Sequence, residues 1–245
     1  MNLRATYKIH WSIALLLSLF GSAWGLEPGV LTGKVTDSAG KPLPNVTVYA
    51  DNTLLYNTNA AGITDAQGNY RINVSRPAGT WHATAQIKRQ FQGKTYTFDL
   101  HPNDDNLFAG NQGAVRNFTW KLRGQRPDGG HYGSKVIAYG SLDNPFYIES
   151  SKIELTLEPV GTLADGSSGA PIVSLLQSTP DGDAVVDVPL ARYKVSARYI
   201  DPEQGGQIPL WVRLRNEGDY QPSLTTDFKT VMSSIHQIEV EVRTP

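Results

Sequence analysis

From residue 26 onward the chain consists of short stretches in which hydrophobic and polar residues alternate, separated by Gly, Pro, Asn and Asp. A period of two is typical of β-strands with one buried face, and no stretch shows the period of a long amphipathic helix. The clearest alternating sets are Tyr70/Ile72/Val74, Trp81/Ala83/Ala85/Ile87, Tyr96/Phe98/Leu100, Ile153/Leu155/Leu157, Tyr193/Val195/Ala197/Tyr199, Leu210/Val212/Leu214 and Ile238/Val240/Val242. This pattern predicts an all-β protein.

One segment stands out as a linker between two groups of predicted strands. Residues 124–133 contain four Gly and one Pro, a composition typical of irregular connections. The alternation on both sides predicts two tandem antiparallel β-sandwiches, at residues 26–123 and 134–245. The stretch 68–85 is weakly similar to the stretch 182–197, so duplication of one sandwich and independent convergence on hairpin patterning stand as equal alternatives.

The first 25 residues have the features of a secretory signal peptide. Arg4 and Lys8 precede the apolar run 13–20, and Ala23 and Gly25 place small residues at positions −3 and −1 of a cleavage site. An uncleaved membrane anchor is the weaker alternative, because a helix needs about 20 apolar residues to cross a bilayer. We therefore expect cleavage after Gly25, no membrane span in the mature chain, and a secreted or periplasmic protein.

Charge and cysteine content exclude several classes of function. The 245 residues include 22 Lys and Arg, 23 Asp and Glu, and no Cys, with a net charge of −1. A nearly neutral chain argues against a polycationic surface for nucleic acid. Without Cys there is no disulfide, thiol nucleophile or thiolate metal site.

Two motifs in the first half carry a family resemblance. Residues 33–48 read GKVTDSAGKPLPNVTV and residues 64–72 read TDAQGNYRI. Both resemble the signatures of the carboxypeptidase regulatory-like domain, a prealbumin-like (transthyretin-like) sandwich of about seven strands. The resemblance covers roughly residues 29–122 and implies that fold there, whereas the second half resembles no family that we recognise. It implies little about function, because such domains accompany peptidases, outer-membrane receptors, adhesins and glycan-binding proteins alike.

Nothing in the sequence indicates catalysis. Hydroxyisourate hydrolases of the prealbumin fold end on Tyr-Arg-Gly-Ser, whereas this chain ends on Val-Arg-Thr-Pro. Intradiol dioxygenases of related topology hold iron with two Tyr and two His, and here the histidines of the mature chain are scattered without ligand-like spacing. The sequence also lacks a Gly-x-Ser-x-Gly elbow, a His-Glu-x-x-His motif and a phosphate loop. We expect no catalytic residues, no metal site and no cofactor.

A polar loop at residues 101–113 is the first candidate binding region. It carries His101, Asp104 and Asp105, and its density of oxygen atoms makes calcium an alternative, although the spacing is not that of an EF-hand. Arg116 follows in register with inward-facing aromatic residues. The structural interpretation is that Arg116 ties this loop to the sheet through Asp104 or Asp105. The functional one is that Arg116 meets an anionic ligand at the sheet end.

The second candidate region lies on one strand of the second half. If Leu210 and Val212 are buried, then Trp211, Arg213 and Arg215 face solvent. An exposed Trp can stack on a sugar ring or a proline, and the arginines can contact carboxylates. The ordinary alternative, which we favour, is that these arginines pair with acidic residues on neighbouring strands.

These observations predict a secreted or periplasmic non-catalytic binding module, whose ligand is a polysaccharide or a cell-surface protein. Ligand-binding residues are expected among Trp211, Arg213, Arg215, His101, Asp104, Asp105 and Arg116. One alternative is a structural or adhesive scaffold of the cell envelope that joins its neighbours through edge-strand contacts. A third hypothesis is a hydrolase that uses two of the carboxylates Asp104, Asp105, Asp181 and Asp183. The sequence leaves the oligomeric state open.

Overall fold

The computed structural model describes residues 25–127, 129–145, 147–201 and 206–245. Regular structure in these ranges is β-strand except for one 3-10 turn, Ser150–Lys152, so the all-β prediction is confirmed. The predicted signal peptide falls, apart from Gly25, outside the described residues. Within the described ranges, no helix combines the length and apolar character needed to cross a bilayer.

The strands of the first half are β1 (Val30–Asp37), β2 (Thr47–Asn52), β3 (Asn59–Ile63), β4 (Asn69–Asn73), β5 (Thr80–Phe91), β6 (Lys94–Leu100), β7 (Phe108–Ala109), β8 (Ala114–Val115) and β9 (Phe118–Trp120). One sheet has the order β4-β1-β8, with β9 also on β1, and the other has the order β3-β2-β5-β6, with β7 on β5. Their inward faces share a core whose largest fully buried side chains include Trp81, Tyr96 and Phe118. The result is the sandwich that the alternation predicts.

The strands of the second half are β10 (Ser134–Gly140), β11 (Ile153–Pro159), β12 (Ile172–Leu175), β13 (Gln177–Thr179), β14 (Gly182–Val188), β15 (Arg192–Asp201), β16 (Gly206–Leu214), β17 (Glu217–Gln221), β18 (Leu224–Asp227), β19 (Lys229–Met232) and β20 (Ile235–Arg243). They hydrogen-bond in the order β12-β11-β15-β16-β20-β10-β14-β13. Strand β16 connects two layers, because it pairs with β15 up to Leu210 and with β20 from Trp211 onward.

The two halves share one strand order. The first strand of each half pairs antiparallel with a strand from the middle of that half, β1 with β4 and β10 with β14. It also pairs parallel with the end of that half, β1 with β8 and β9, and β10 with β20. In the opposite layer, the order β3-β2-β5-β6 corresponds to β12-β11-β15-β16. A shared strand order is the outcome that duplication predicts, and it places β3 and β12 at equivalent positions.

The predicted linker is folded against the second half. The N–H of Tyr132 donates to the carbonyl of Gly124 at 2.9 Å, so the segment closes on itself. The carboxylate of Asp187 accepts the N–H of Gly124 at 2.8 Å and that of Gly133 at 3.1 Å. Both ends of the segment are therefore tied to one side chain of β14. The domain boundaries themselves stay a prediction.

The two halves also contact each other directly. The Tyr96 hydroxyl donates to the carbonyl of Phe228 at 2.9 Å, and Nε2 of His236 lies 2.8 Å from the carbonyl oxygen of Thr97. The Ser234 hydroxyl hydrogen-bonds to the carboxylate of Asp99. Strand β6 of the first half is thus covered by the β19–β20 hairpin and the residue preceding it.

Candidate functional site

The 101–113 loop is tied to the sheet by Arg116, which is only 8% exposed. Its Nη1 lies 3.0 Å from the carboxylate of Asp104, and its Nη2 donates to the carbonyl of Asn106 at 2.9 Å. The guanidinium group also lies 5.5 Å from the centre of the Phe108 ring. This is the arrangement of the structural interpretation, in which Arg116 holds the loop rather than facing a ligand.

The two carboxylates at the centre of this loop point to different partners. Hydrogen bonds from the backbone and side chain of Asn106, together with the charge of Arg116, hold the pKa of Asp104 below its usual value. Asp105 instead lies 2.8 Å from Nε2 of His82. Among the described residues, no group of three or more His, Asp or Glu could hold a metal ion. Asp104 and Asp105 are thus each paired with a protein side chain, Arg116 and His82 respectively.

Arg116 allows a prediction about the loop. We expect Arg116→Met to lower the free energy of unfolding by about 3 kcal/mol, because it removes the donor to the carbonyls of Asn106 and Val115 and leaves Asp104 without its ion pair. His82→Ala is the matched control, since it removes another side-chain contact of the same loop, a half-exposed pair worth less than about 1 kcal/mol. Urea denaturation measures both. Equal losses in the two variants would contradict the assigned role of Arg116.

Trp211 lies where β16 leaves one layer for the other. Its neighbours Leu210 and Val212 are 1% and 0% exposed, so their side chains fill the core. Trp211 and Arg213 consequently point outward, and both are half-buried. Trp211 stands opposite Arg243 on β20.

The arginines beside Trp211 already have partners. Nε of Arg213 donates to Glu241 at 2.7 Å, and its guanidinium carbon lies 4.5 Å from the centre of the Tyr220 ring. The Tyr220 hydroxyl donates to the same carboxylate at 3.1 Å. Burial raises the pKa of Glu241, but the hydrogen bonds from Arg213, Tyr220 and the Asn216 backbone, together with the charge of Arg213, lower it by more, and the net pKa is below its usual value. The hydrogen bond to Glu241 correspondingly raises the pKa of Arg213.

A second arginine cluster continues the pattern along the sheet. Nη1 of Arg215 donates to Glu239 at 2.7 Å and to the Tyr139 hydroxyl at 2.9 Å, with the guanidinium 4.0 Å from the centre of that ring. The hydrogen bond to Glu239 raises the pKa of Arg215. We call this surface the Tyr–Arg face; it comprises Tyr139, Trp211, Arg213, Arg215, Tyr220, Glu239, Glu241 and Arg243. The ordinary alternative for the arginines is therefore the one that the structure shows.

The predicted site residues form separate groups rather than one site. His101, Asp104, Asp105 and Arg116 belong to the first half, and the residues of the Tyr–Arg face belong to the second. Sequence reasoning missed Tyr139, Tyr220 and Arg243 as parts of this face. Their outward positions in alternating strands were the available signal, but the pairing between distant strands was needed to bring them together.

His101 lies at a cleft between the two halves, which sequence reasoning also missed. The cleft has a volume of about 480 Å³ and is lined by His101, Lys121, Tyr132, Lys135 and Asp181, among others. The ring of Tyr132 packs edge-on against His101 at 5.9 Å, and Nζ of Lys121 lies 5.3 Å from the centre of the Tyr132 ring. Lys135 pairs with Asp181. Tyr132 comes from the predicted linker, whose folded form could not be read from its composition.

The four carboxylates of the hydrolase hypothesis are likewise dispersed. Asp104 and Asp105 lie in the first half, paired with Arg116 and His82. Asp181 and Asp183 lie in the second half. Asp181 is in the turn between β13 and β14, and Asp183 is near the start of β14.

Comparison with known families supports the resemblance found in the first half. Residues 30–107 match the model of the carboxypeptidase regulatory-like domain, so the predicted resemblance is confirmed. This family is a regulatory, non-catalytic domain, in agreement with the prediction that the chain is not an enzyme. Among curated proteins, none matches this sequence.

Several solved structures are similar to the chain at a low level. The Bacillus anthracis TIE protein is 10% identical, with 89% of this chain and 34% of that chain covered and a TM-score of 0.31. The C-terminal fragment of the pilus adhesin SpaC from Lactobacillus rhamnosus GG is 9% identical, with coverage of 89% and 98% and a TM-score of 0.28. The streptococcal ancillary pilin is 11% identical, with coverage of 89% and 69% and a TM-score of 0.25. The chain thus spans about a third of the Bacillus protein, and TM-scores this low support no transfer of function.

Proposed function

We propose that this protein is an exported, non-catalytic binding module that holds a polysaccharide against Trp211 on the Tyr–Arg face. Export through a signal peptide at residues 1–25 is part of the proposal. The observation that carries it is the position of Trp211, outward on a paired strand between two buried residues. The broad apolar surface of an indole ring stacks well on the face of a sugar, and its N–H remains available to a hydroxyl.

The partners of the arginines favour a neutral sugar over an anionic ligand. Arg213 and Arg215 are engaged by Glu241 and Glu239, so an anion would have to displace an internal carboxylate to reach them. The same pairing holds the donors and acceptors of this surface in fixed positions. Hydroxyl groups of a bound sugar would meet them without ordering long side chains, and binding would lose little conformational entropy.

Binding to polysaccharides tests this proposal. We expect the exported protein to be retained on at least one member of a panel of soluble and insoluble neutral polysaccharides. Trp211→Ala should weaken that binding by about tenfold or more, because it removes the stacking surface. Tyr56→Ala is the matched control, since Tyr56 is a fully exposed aromatic residue on the first sandwich. Affinity electrophoresis and pull-down on insoluble polymers measure both variants.

The other outcomes are equally informative. Retention that is unchanged by Trp211→Ala would contradict the assigned site and direct attention to the 101–113 loop and the cleft between the halves. Absence of retention on every polymer would reject the polysaccharide. A cell-surface protein would then be the ligand class to pursue.

A further inference from the structure

Strands β3 and β12 are edge strands at equivalent positions in the two halves. Among the described residues, β3 pairs with β2 alone and β12 pairs with β11 alone. The sequences of these edges, NAAGI in β3 and IVSL in β12, contain no charged residue and no proline. Natural sheets usually protect an edge with charge, proline or a bulge, because unpaired backbone groups accept another strand.

Two residues of β12 direct their backbone N–H and C=O groups away from the sheet to which β12 belongs. The N–H of Leu176 donates to the carbonyl of Ile153 at 3.0 Å, and Ser174 stands opposite Leu155. Residues 172, 174 and 176 therefore turn their backbone groups toward β11, whereas Val173 and Leu175 turn theirs outward. The Ser174 hydroxyl donates to the carbonyl of Leu175 at 2.8 Å, so this outward acceptor takes a side chain in place of a neighbouring strand.

The side chains along this edge are apolar and exposed. Val173 is 54% exposed and Leu175 is 44% exposed, both on the outer face of the sheet. The nearest acidic residue on that face, Glu154, is neutralised by Arg198. The carboxylate opposite Leu175 therefore presents no unpaired charge to an approaching sheet.

We infer that β12 is a self-association edge, to which a second copy of this chain adds its own β12 antiparallel about a two-fold axis at Ser174. In this register Val173 of one copy faces Leu175 of the other, and each facing pair exchanges both of its backbone hydrogen bonds. The apolar side chains of the two facing residues then lie side by side on the outer face. This association is independent of Trp211 and of the proposed polysaccharide function.

The sequence of β12 favours a second copy of this chain as the partner strand. Two-fold pairing opposes apolar residues with apolar residues and Ser174 with itself, and it closes after two copies. Pro171 lacks an N–H and ends the shared ladder on one side. The interface is consequently short, and we expect dimers to appear only as the protein concentration rises.

Sedimentation velocity from about 5 to about 500 μM, the range in which a short interface becomes occupied, tests the inference. We expect the exported protein to form a dimer with increasing concentration. Val173→Pro removes only an outward N–H and should weaken the dimer by about tenfold or more while preserving the sheet. Leu175→Lys adds a charge to the edge and should also weaken the dimer by about tenfold or more. It replaces Val173→Pro as the test if the proline variant fails to fold. Ile63→Lys is the matched control, because Ile63 is an exposed aliphatic residue on the equivalent edge β3.

Loss of the dimer in the β12 variants, together with its retention in Ile63→Lys, supports the inference. A monomer at every concentration would overturn it. Loss in Ile63→Lys alone would assign the interface to β3, and equal loss in all variants would indicate non-specific association; both results also overturn it.

Discussion

Gly33→Ala is expected to destabilise the first sandwich by about 3 kcal/mol or more, the upper range for overpacking of a protein core. A Cβ atom on Gly33 would lie 1.7 Å from the carbonyl oxygen of Arg116 and 2.7 Å from its carbonyl carbon. This obstacle is backbone, so rotation of a side chain cannot relieve the clash.

The backbone around Arg116 has little freedom to move away. Its carbonyl accepts the Tyr70 hydroxyl at 2.6 Å, and its N–H donates to the carbonyl of Thr32 at 2.8 Å. Displacement of this segment would break both hydrogen bonds in a buried region. It would also disturb the arginine that holds the 101–113 loop.

Gly40→Ala is the matched control in the same sequence motif. Gly40 has a φ of 81° and no atom within 4 Å of a built Cβ, so the substitution costs backbone strain alone, about 1 kcal/mol. Urea denaturation compares the two variants. A loss for Gly33→Ala no larger than that for Gly40→Ala would show that the sheet yields to the added methyl group.

Local patterns predicted the strands and their buried faces well. Tyr70, Ile72 and Val74 alternate in the sequence and are 3%, 4% and 0% exposed. A period of two indicates which face of a strand is buried, and this periodicity can be seen in a few consecutive residues. Leu214 departs from its alternating set because the pairing of β16 with β17 shifts register between Val212 and Leu214, and Leu214 is only half-buried.

The side-chain contacts between distant strands depend on long-range pairing, which local patterns do not predict. The outward positions of Arg213 and Glu241 followed from alternation, but their mutual contact depends on the register of β16 against β20. Likewise, Asp187 lies far along the chain from Gly124, which it holds. The composition of the linker indicated turns and gave no sign of the carboxylate that fixes them. The Tyr–Arg face and the cleft between the halves are products of these distant contacts.

Acidification is expected to loosen the contact between the two halves through His236, which is 4% exposed. Its Nε2–H donates to the carbonyl of Thr97 at 2.8 Å, and its Nδ1 lies 3.0 Å from the Thr230 hydroxyl, which is a donor for the neutral form of the ring. The ring packs edge-on against Tyr96 at 5.1 Å. Burial lowers the pKa of His236 below its ordinary value of 6.5, against the opposing effects of the Thr97 hydrogen bond and the charge of Asp99.

The direction of the pH dependence follows from that lowered pKa. The unfolded chain binds a proton at His236 at a higher pH than the folded chain does, so the free energy of unfolding rises with pH in this range. The stabilising contribution of the neutral ring is complete above pH 6.5 and is lost as the pH falls through the lower pKa of the folded state. Another ionised group near this contact, Asp227, has a pKa held below its usual value by the hydrogen bond from Arg192, and it acts at more acidic pH.

Urea denaturation between about pH 7.5 and about pH 5, the range in which histidines titrate, tests this expectation with His236→Gln. The variant should be less stable at neutral pH by about 2 kcal/mol, because the amide cannot satisfy Thr97 and Thr230 with the same geometry. Its free energy of unfolding should change less over this range, since no imidazole titrates at the contact. His131→Gln, at an exposed position in the segment between the halves, is the matched control and should retain the wild-type slope. Parallel slopes for the wild type and His236→Gln would assign the acid sensitivity to another group.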